Sequence, residues 1–299
     1  MKDIIIIGGS AAGVTAGIYC ARSGLDTTVI TKEFGGQLLL TENIENYTGF
    51  KSIFGFNLAM KFKEHLKEYE VEVEEGFEVE KIEKKGKTFL VKTKNKEFES
   101  KAVIIATGKR PKKLSVKGAE KLEHKGIHYC AVCDGPLYKG KTVVVIGGGY
   151  SGTEEALFLS NIAEKVFVLE YGEELGGEEI TRKQLLEKKN IEVLTEVEVT
   201  DILGEKTVEG VKFKGKDGEK EIKVSAVFVN IGENPNSEFI DLVEKTEFNE
   251  IKINEKNETN VKGIFAAGDV TNISVHQLIV AAAEGCKAAI NANQFIRKK

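Results

Sequence analysis

The chain has 299 residues, 41% of them hydrophobic and 30% charged, with a formal net charge of −4. That length accommodates two domains with separate cores, and the slightly acidic balance gives no general pull towards nucleic acid or anionic membrane. No apolar run reaches a signal-peptide core or a membrane span, so a cytoplasmic protein without nucleic-acid or membrane partners is expected. The four cysteines are too few for a structural disulfide framework, which leaves redox or metal chemistry for a close pair.

The predicted elements open with a strand over Ile4-Ile5-Ile6-Ile7, a continuous apolar run of the kind buried on both sheet faces. It feeds Gly8-Gly9-Ser10-Ala11-Ala12-Gly13 and then a helix, the order of a dinucleotide-binding turn. Ser10 stands where G-x-G-x-x-G has its middle glycine. A small hydroxyl residue still lets the backbone approach a pyrophosphate, but the motif alone is weaker here. Gly35-Gly36-Gln37-Leu38 follows the second strand, and Asn46 comes after it. Each alone reads equally as an ordinary loop, so the set carries the inference. Val71 to Ile82 alternates with period two and predicts antiparallel strands with one side in water. Val103-Ile104-Ile105 then runs through Ala106 and Thr107 into Gly108.

Turn-prone sequence near residues 110–117 and 235–241 divides the chain into a first segment at 1–112, an inserted unit at 113–241, and a returning segment at 242–299. The inserted unit carries Cys130-Ala131-Val132-Cys133, two sulfurs within disulfide reach across one turn. Zinc is the rival reading, but a structural site needs four ligands. Cys20 and Cys286 are solitary, on apolar helix faces, and His128 is the one further ligand nearby, so no metal site is expected. Asp134 follows Cys133 directly and reads either as a proton shuttle for thiolate chemistry or as a turn residue before Gly135-Pro136.

Val143-Val144-Val145-Ile146 feeds Gly147-Gly148-Gly149-Tyr150-Ser151-Gly152 and a helix, which satisfies G-x-G-x-x-G in its strand-turn-helix context. Gly147 permits the tight turn, Gly149 lets backbone approach the pyrophosphate, and Gly152 allows close helix–strand packing, with the helix N-terminus facing the phosphates. The strand Lys165 to Leu169 ends at Glu170, placed to accept hydrogen bonds from the adenosine ribose hydroxyls. A 2′-phosphate there would cost roughly 1–4 kcal/mol per charge pair, about ten- to a thousandfold in affinity. No arginine follows until Arg182. NADH is therefore expected over NADPH; the rival reading has Glu170 facing solvent and a weak preference. Ile191 to Ile202 repeats the alternation, and Val227-Phe228-Val229-Asn230-Ile231 ends in Gly232. Strand, glycine turn, helix, charged β-rich stretch and strand-glycine thus occur twice. The fold class expected is α/β, with two Rossmann-like, three-layer ββα nucleotide-binding domains, the second inserted in the first.

The tail departs from this order. Ile264-Phe265-Ala266-Ala267-Gly268-Asp269 predicts a strand ending in an acid, and an Ala-rich helical stretch runs from His276 to Phe295. Together they are expected to complete the first domain.

The runs GGQLLLTENIENYTGF (35–50), IATG (105–108), YCAVCDGPLYKGK (129–141), GGGYSGTEEALFLS (147–160) and ETNVKGIFAAGDV (258–270) carry a resemblance covering nearly the whole chain. It resembles low-molecular-weight thioredoxin reductases and the similar flavoprotein subunit of alkyl hydroperoxide reductase. The resemblance implies FAD held by the Gly8–Gly13 turn, Gly35, Gly36, Gln37, Leu38 and Asn46, by Val79 through its backbone, and by Ala106, Thr107 and Gly108. Gly268, Asp269, His276 and Gln277 complete that set, with His276 standing where thioredoxin reductases usually have arginine. It further implies that Cys133 faces the flavin, that Cys130 attacks the partner's disulfide, and that Asp134 is the acid–base residue. The arginine cluster used for NADPH is missing, and Leu169-Glu170-Tyr171 looks like the NADH-using peroxide-system branch. That branch carries an additional N-terminal thioredoxin-like module, whereas this sequence starts at the FAD strand. A separate thioredoxin- or glutaredoxin-like acceptor and a homodimer are therefore expected. An NADH oxidase, a reductase of a peroxiredoxin system and a nucleotide-sensing module remain the competing functions; the intact second glycine turn argues against a ferredoxin-fed variant.

Overall fold

In the computed structural model, residues 1–41 and 43–298 are described; Glu42, inside the run at 35–50, and Lys299 lie outside them. The chain forms two compact units, one of residues 1–110 with 234–299 and one of residues 111–233. The connections Lys109–Pro111 and Glu233–Pro235 pair as a two-stranded ribbon. Turn-prone sequence puts the return at 242, but the division falls earlier, because residues 234–241 bond to the first unit. Asn236 N donates to Gly108 O at 2.9 Å, and Thr107 Oγ1 donates to Asn236 O at 2.6 Å.

In the first unit, strands Glu72–Glu75, Thr27–Thr31, Lys2–Ile7, Glu97–Ile105 and Ile264–Ala266 lie side by side, all parallel. The strand Lys2–Ile7 is central, with Ile4 opposite Thr27 on one side and Ala102 on the other. Its side chains alternate between two cores. Ile4 and Ile6 pack with Val29, Ile104 and Phe265; Ile5 and Ile7 pack with Ile30, Val103 and Ile105. Burial on both faces is why the run reads as uninterrupted isoleucine. The Ala11–Arg22 and Leu278–Arg297 helices cover one face, so tightly that a Cβ on Gly285 would collide with the Ala12 carbonyl.

The second unit repeats this order, with strands Ile191–Leu194, Lys165–Leu169, Thr142–Ile146, Ala226–Val229 and Ile127–His128 again all parallel. The repeat differs in the origin of its last strand. Ile264–Ala266 follows the other strands of its sheet in the chain, whereas Ile127–His128 precedes them.

Both alternating stretches hold two strands of different kinds. Glu72–Glu75 is a parallel edge strand and Val79–Lys85 is antiparallel. Ile191–Leu194 and Glu198–Leu203 divide in the same way. Period two marks one wet face, and the exposed edge of a parallel sheet meets that condition as well as an antiparallel ribbon does.

Candidate active site

The two glycine turns have one geometry. Gly8 and Gly147 have φ of +117° and +98°, and a Cβ on either would collide with the carbonyl oxygen of the next strand's end, Ala106 or Asn230. A Cβ on Gly13 or Gly152 would collide with the carbonyl of Gly8 or Gly147 respectively. Each helix is thereby seated directly on its turn. Ser10 is the N-cap of the first helix and Gly149 of the second, and nothing lies within 4 Å of a Cβ placed on Gly149. That open side is what a pyrophosphate needs. Tyr150 and Ser151 form the exposed first turn of the second helix.

Glu170 is held in the second turn. One carboxylate oxygen accepts from Gly148 N, and the other accepts from Gly172 N at 2.6 Å. Glu170 also lines a cleft of about 440 Å³ beside Gly147, Gly149, Tyr171, Glu198 and Asn230. Two carboxylates and no lysine or arginine are among its lining residues. Arg182, the first arginine after Glu170, donates instead to Leu175 O at 3.2 Å. Gly232, at the end of the next strand's exit, has φ of +97°.

In the same unit Cys130 and Cys133 form a disulfide. Cys130 is buried and Cys133 exposed. The Cys133 N–H donates to Cys130 Sγ at 3.1 Å, a contact that favours a thiolate on Cys130 once the bond opens. Asp134 does not face solvent as a bare turn residue. Its Oδ2 lies 3.0 Å from His128 Nδ1, and His128 Nε2 lies 2.8 Å from the Tyr138 hydroxyl. Glu155 ties this segment to the cleft: its carboxylate accepts from Ala131 N at 3.1 Å and from Asn230 Nδ2 at 2.6 Å. Burial pushes the Glu155 carboxyl above the usual carboxylate range, against the effect of those two hydrogen bonds.

Of the other cysteines, Cys20 is buried and its thiol is pushed up to about 12, which makes it inert. Cys286 is only partly buried, beside the exposed Tyr19 hydroxyl.

The first unit gathers most of its expected residues around its own turn. Gly35 N donates to Gly9 O at 2.9 Å, and Gly36 lies against Ser10. Gly268 packs on Ala12. Ala11 and Leu38 are buried. Asn46 Nδ2 donates to Gln277 Oε1 at 3.2 Å. Gln37 Nε2 donates to Lys109 O at 3.0 Å, and Lys109 Nζ lies 3.3 Å from His276 Nε2. Val79 belongs to the apolar cluster of Ile7 and Ile105, while Thr107 and Gly108 bond to Asn236. Asp269 is half-buried, its Oδ1 is shut off from solvent with no hydrogen-bond partner, and burial pushes its carboxyl up. A buried orphan acceptor beside a glycine turn fits a ligand bearing hydroxyl groups, as a flavin nucleotide does.

Sequence reasoning missed His128 as the partner of Asp134, Glu155 as a tie, and Lys109, whose buried ammonium pairs with Glu250 at 2.9 Å. Only the His128–Asp134–Tyr138 spacing on either side of the cysteines offered a signal.

A family model described as pyridine nucleotide-disulphide oxidoreductase matches residues 2–285. The NADH dehydrogenase of Bacillus subtilis is 38% identical over 98% of this chain. An alkyl hydroperoxide reductase component from Staphylococcus epidermidis is 37% identical, also over 98%. The chain spans 58% and 59% of the length of those two relatives. The thioredoxin reductase of Lactococcus lactis is 34% identical in its crystal structure, with a TM-score of 0.98 over 100% of both chains. Paired glycine turns, a Cys-x-x-Cys disulfide and these likenesses agree: the chain belongs to the pyridine nucleotide-disulphide oxidoreductase family, which implies a flavin and a nicotinamide nucleotide as cofactors.

Proposed function

We propose that the protein is a flavoprotein disulfide reductase. In this reading two electrons pass from NADH, by way of FAD, to the Cys130–Cys133 disulfide and on to a thioredoxin- or glutaredoxin-like protein. The observation that carries it is the disulfide in the same unit as an open glycine turn, with Glu155 joining the two.

FAD supplies the redox chemistry that no side chain offers, since it accepts hydride and reduces a disulfide. The chain's residues do the rest. The Gly8–Gly13 turn, Gly35–Leu38, Asn46 and Gln277 would hold the flavin nucleotide, and Asp269 Oδ1 would accept from one of its hydroxyls. The Gly147–Gly152 turn takes the NADH pyrophosphate. Glu170 accepts from the adenosine ribose, and the cation-free lining of the cleft supports NADH over NADPH. Cys133 receives the electrons, Asp134 moves the proton, and Cys130, stabilised as a thiolate by the Cys133 N–H, attacks the acceptor. A cytoplasmic homodimer completes the proposal.

Anaerobic titration with NADH, following flavin absorbance and free thiols together, tests it. Bleaching with two new thiols per chain is expected; bleaching without thiols overturns it. A second reading, with a peroxiredoxin-system protein as acceptor, is favoured by the identity to the alkyl hydroperoxide reductase component. Steady-state turnover with each acceptor class separates the two.

A further inference from the structure

Opening the Cys130–Cys133 bond consumes two electrons and two protons, S–S + 2e⁻ + 2H⁺ → 2 SH. A dihydronicotinamide delivers both electrons and one proton as hydride, so the second proton must come from solvent. A carboxylate alone is a poor source at neutral pH, because its ordinary titration lies near pH 4.

Asp134 is not alone. The His128 side chain is 10% exposed, its Nδ1 is 3.0 Å from Asp134 Oδ2, and its Nε2 is 2.8 Å from the Tyr138 hydroxyl. The ring is stacked on Phe228 at 5.5 Å and meets Tyr138 edge-on at 5.3 Å. Three elements therefore fix one imidazole: the segment Ala131–Asp134, the turn Gly135–Tyr138 and the strand Ala226–Val229. The titratable groups facing the ring are Asp134 and Tyr138; Phe228 is uncharged. Burial and the Asp134 charge push the Tyr138 phenol up, which keeps it protonated. Imidazole is the side chain that ordinarily exchanges a proton between pH 5 and 8.

We propose that His128 is the proton store behind Asp134. The imidazolium passes its Nδ1 proton to the Asp134 carboxylate as Asp134 gives one to the departing sulfur. The neutral ring later regains a proton from solvent. Tyr138 holds the ring in plane. His128 acts through Asp134 and is a positioning residue. The inference rests on the reductase reading above, in which Asp134 serves the dithiol.

The test uses the flavin-loaded protein and a phosphine reductant over pH 5 to 9, which balances as R₃P + S–S + H₂O → R₃PO + 2 SH without NADH. Thiol appearance is followed in wild type, His128→Asn, Asp134→Asn and the double variant. His128→Asn is expected to slow thiol appearance about tenfold at pH 7.5, a modest part of what acid catalysis contributes. The deficit should shrink below about twofold at pH 5, where hydronium from solvent supplies the proton without the ring. The double variant should be no slower than Asp134→Asn. A wild-type pH profile in His128→Asn, or a deficit constant with pH, overturns the proposal. Should His128→Asn lose its flavin or fold, the ring ¹⁵N resonances of wild-type His128 decide. They should show the ring taking up a proton between pH 5 and 8 in the disulfide form, and a ring neutral throughout that range overturns the inference. Failure of the reductase reading shows separately, as wild-type protein that gains no thiols from NADH.

Discussion

Glu155 accepts a hydrogen bond of 2.6 Å from Asn230 Nδ2, and its other oxygen accepts from the Ala131 backbone next to the disulfide. One buried carboxylate thus spans the end of a sheet strand and the start of the redox loop. Its carboxyl titrates above the ordinary range because burial disfavours the charge. The folded chain therefore binds this proton more tightly than the unfolded chain. Stability from this group is greatest below the ordinary carboxyl range and is lost as pH rises through the higher folded value. Glu155→Gln should gain stability relative to wild type between pH 5 and pH 8 in denaturant titrations. A pH-independent difference would contradict this.

Gly13→Ala and Gly152→Ala should separate the two nucleotide sites. Each new Cβ collides with a backbone carbonyl of its own turn, which costs about 1–3 kcal/mol of strain. Gly152→Ala should retain flavin and weaken NADH binding at least about tenfold. Gly13→Ala should lose flavin and leave the second unit folded. Flavin fluorescence on gel filtration and nucleotide calorimetry read the two losses independently.

Cys130→Ser or Cys133→Ser should lower acceptor reduction by about a thousandfold or more, because no dithiol forms. NADH should still bleach the flavin at close to the wild-type rate. NADH consumption with oxygen as acceptor that survives in the variants would favour an oxidase.

Glu170→Ala should lower kcat/KM for NADH about tenfold, roughly 1.4 kcal/mol, with a smaller loss for NADPH. On the proposed reading the carboxylate that would face a 2′-phosphate is gone, and so are the acceptors for Gly148 N and Gly172 N. An unchanged ratio between the two nucleotides would place the ribose elsewhere.

Asp269→Leu should raise the FAD dissociation constant about ten- to a hundredfold, the loss expected for one buried hydrogen bond to a charged group. Asp269→Asn, which still presents an acceptor oxygen, should lose much less. Apoprotein reconstitution followed by flavin fluorescence measures both.

Much of the fold was legible in sequence because buried parallel strands and tight turns leave local marks. Ile4–Ile7 and Val143–Ile146 are apolar at every position, and Gly8 and Gly147 stand where φ is positive. Asp269 and Gln277 were reached through the family pattern, and the contact of Asn46 with Gln277, 231 positions away, has no local signature. The Glu155 tie was invisible for the same reason, and the His128 pair showed only as a spacing around the cysteines. Their partners come from tertiary packing, which leaves no period in the chain. The edge strands Glu72–Glu75 and Ile191–Leu194 were misread as antiparallel because alternation reports wetting of a face and says nothing of strand direction.

The origin of the fifth strand in each sheet sets an order of assembly. Residues 111–233 contain every strand of their sheet, so this lobe can finish folding while the ribosome is still extending the remainder. The other sheet waits for Ile264–Ala266 and for the helix Leu278–Arg297 that covers it. Flavin capture therefore comes after the disulfide lobe has folded, and polypeptides truncated before residue 264 should have a finished disulfide lobe and no yellow colour.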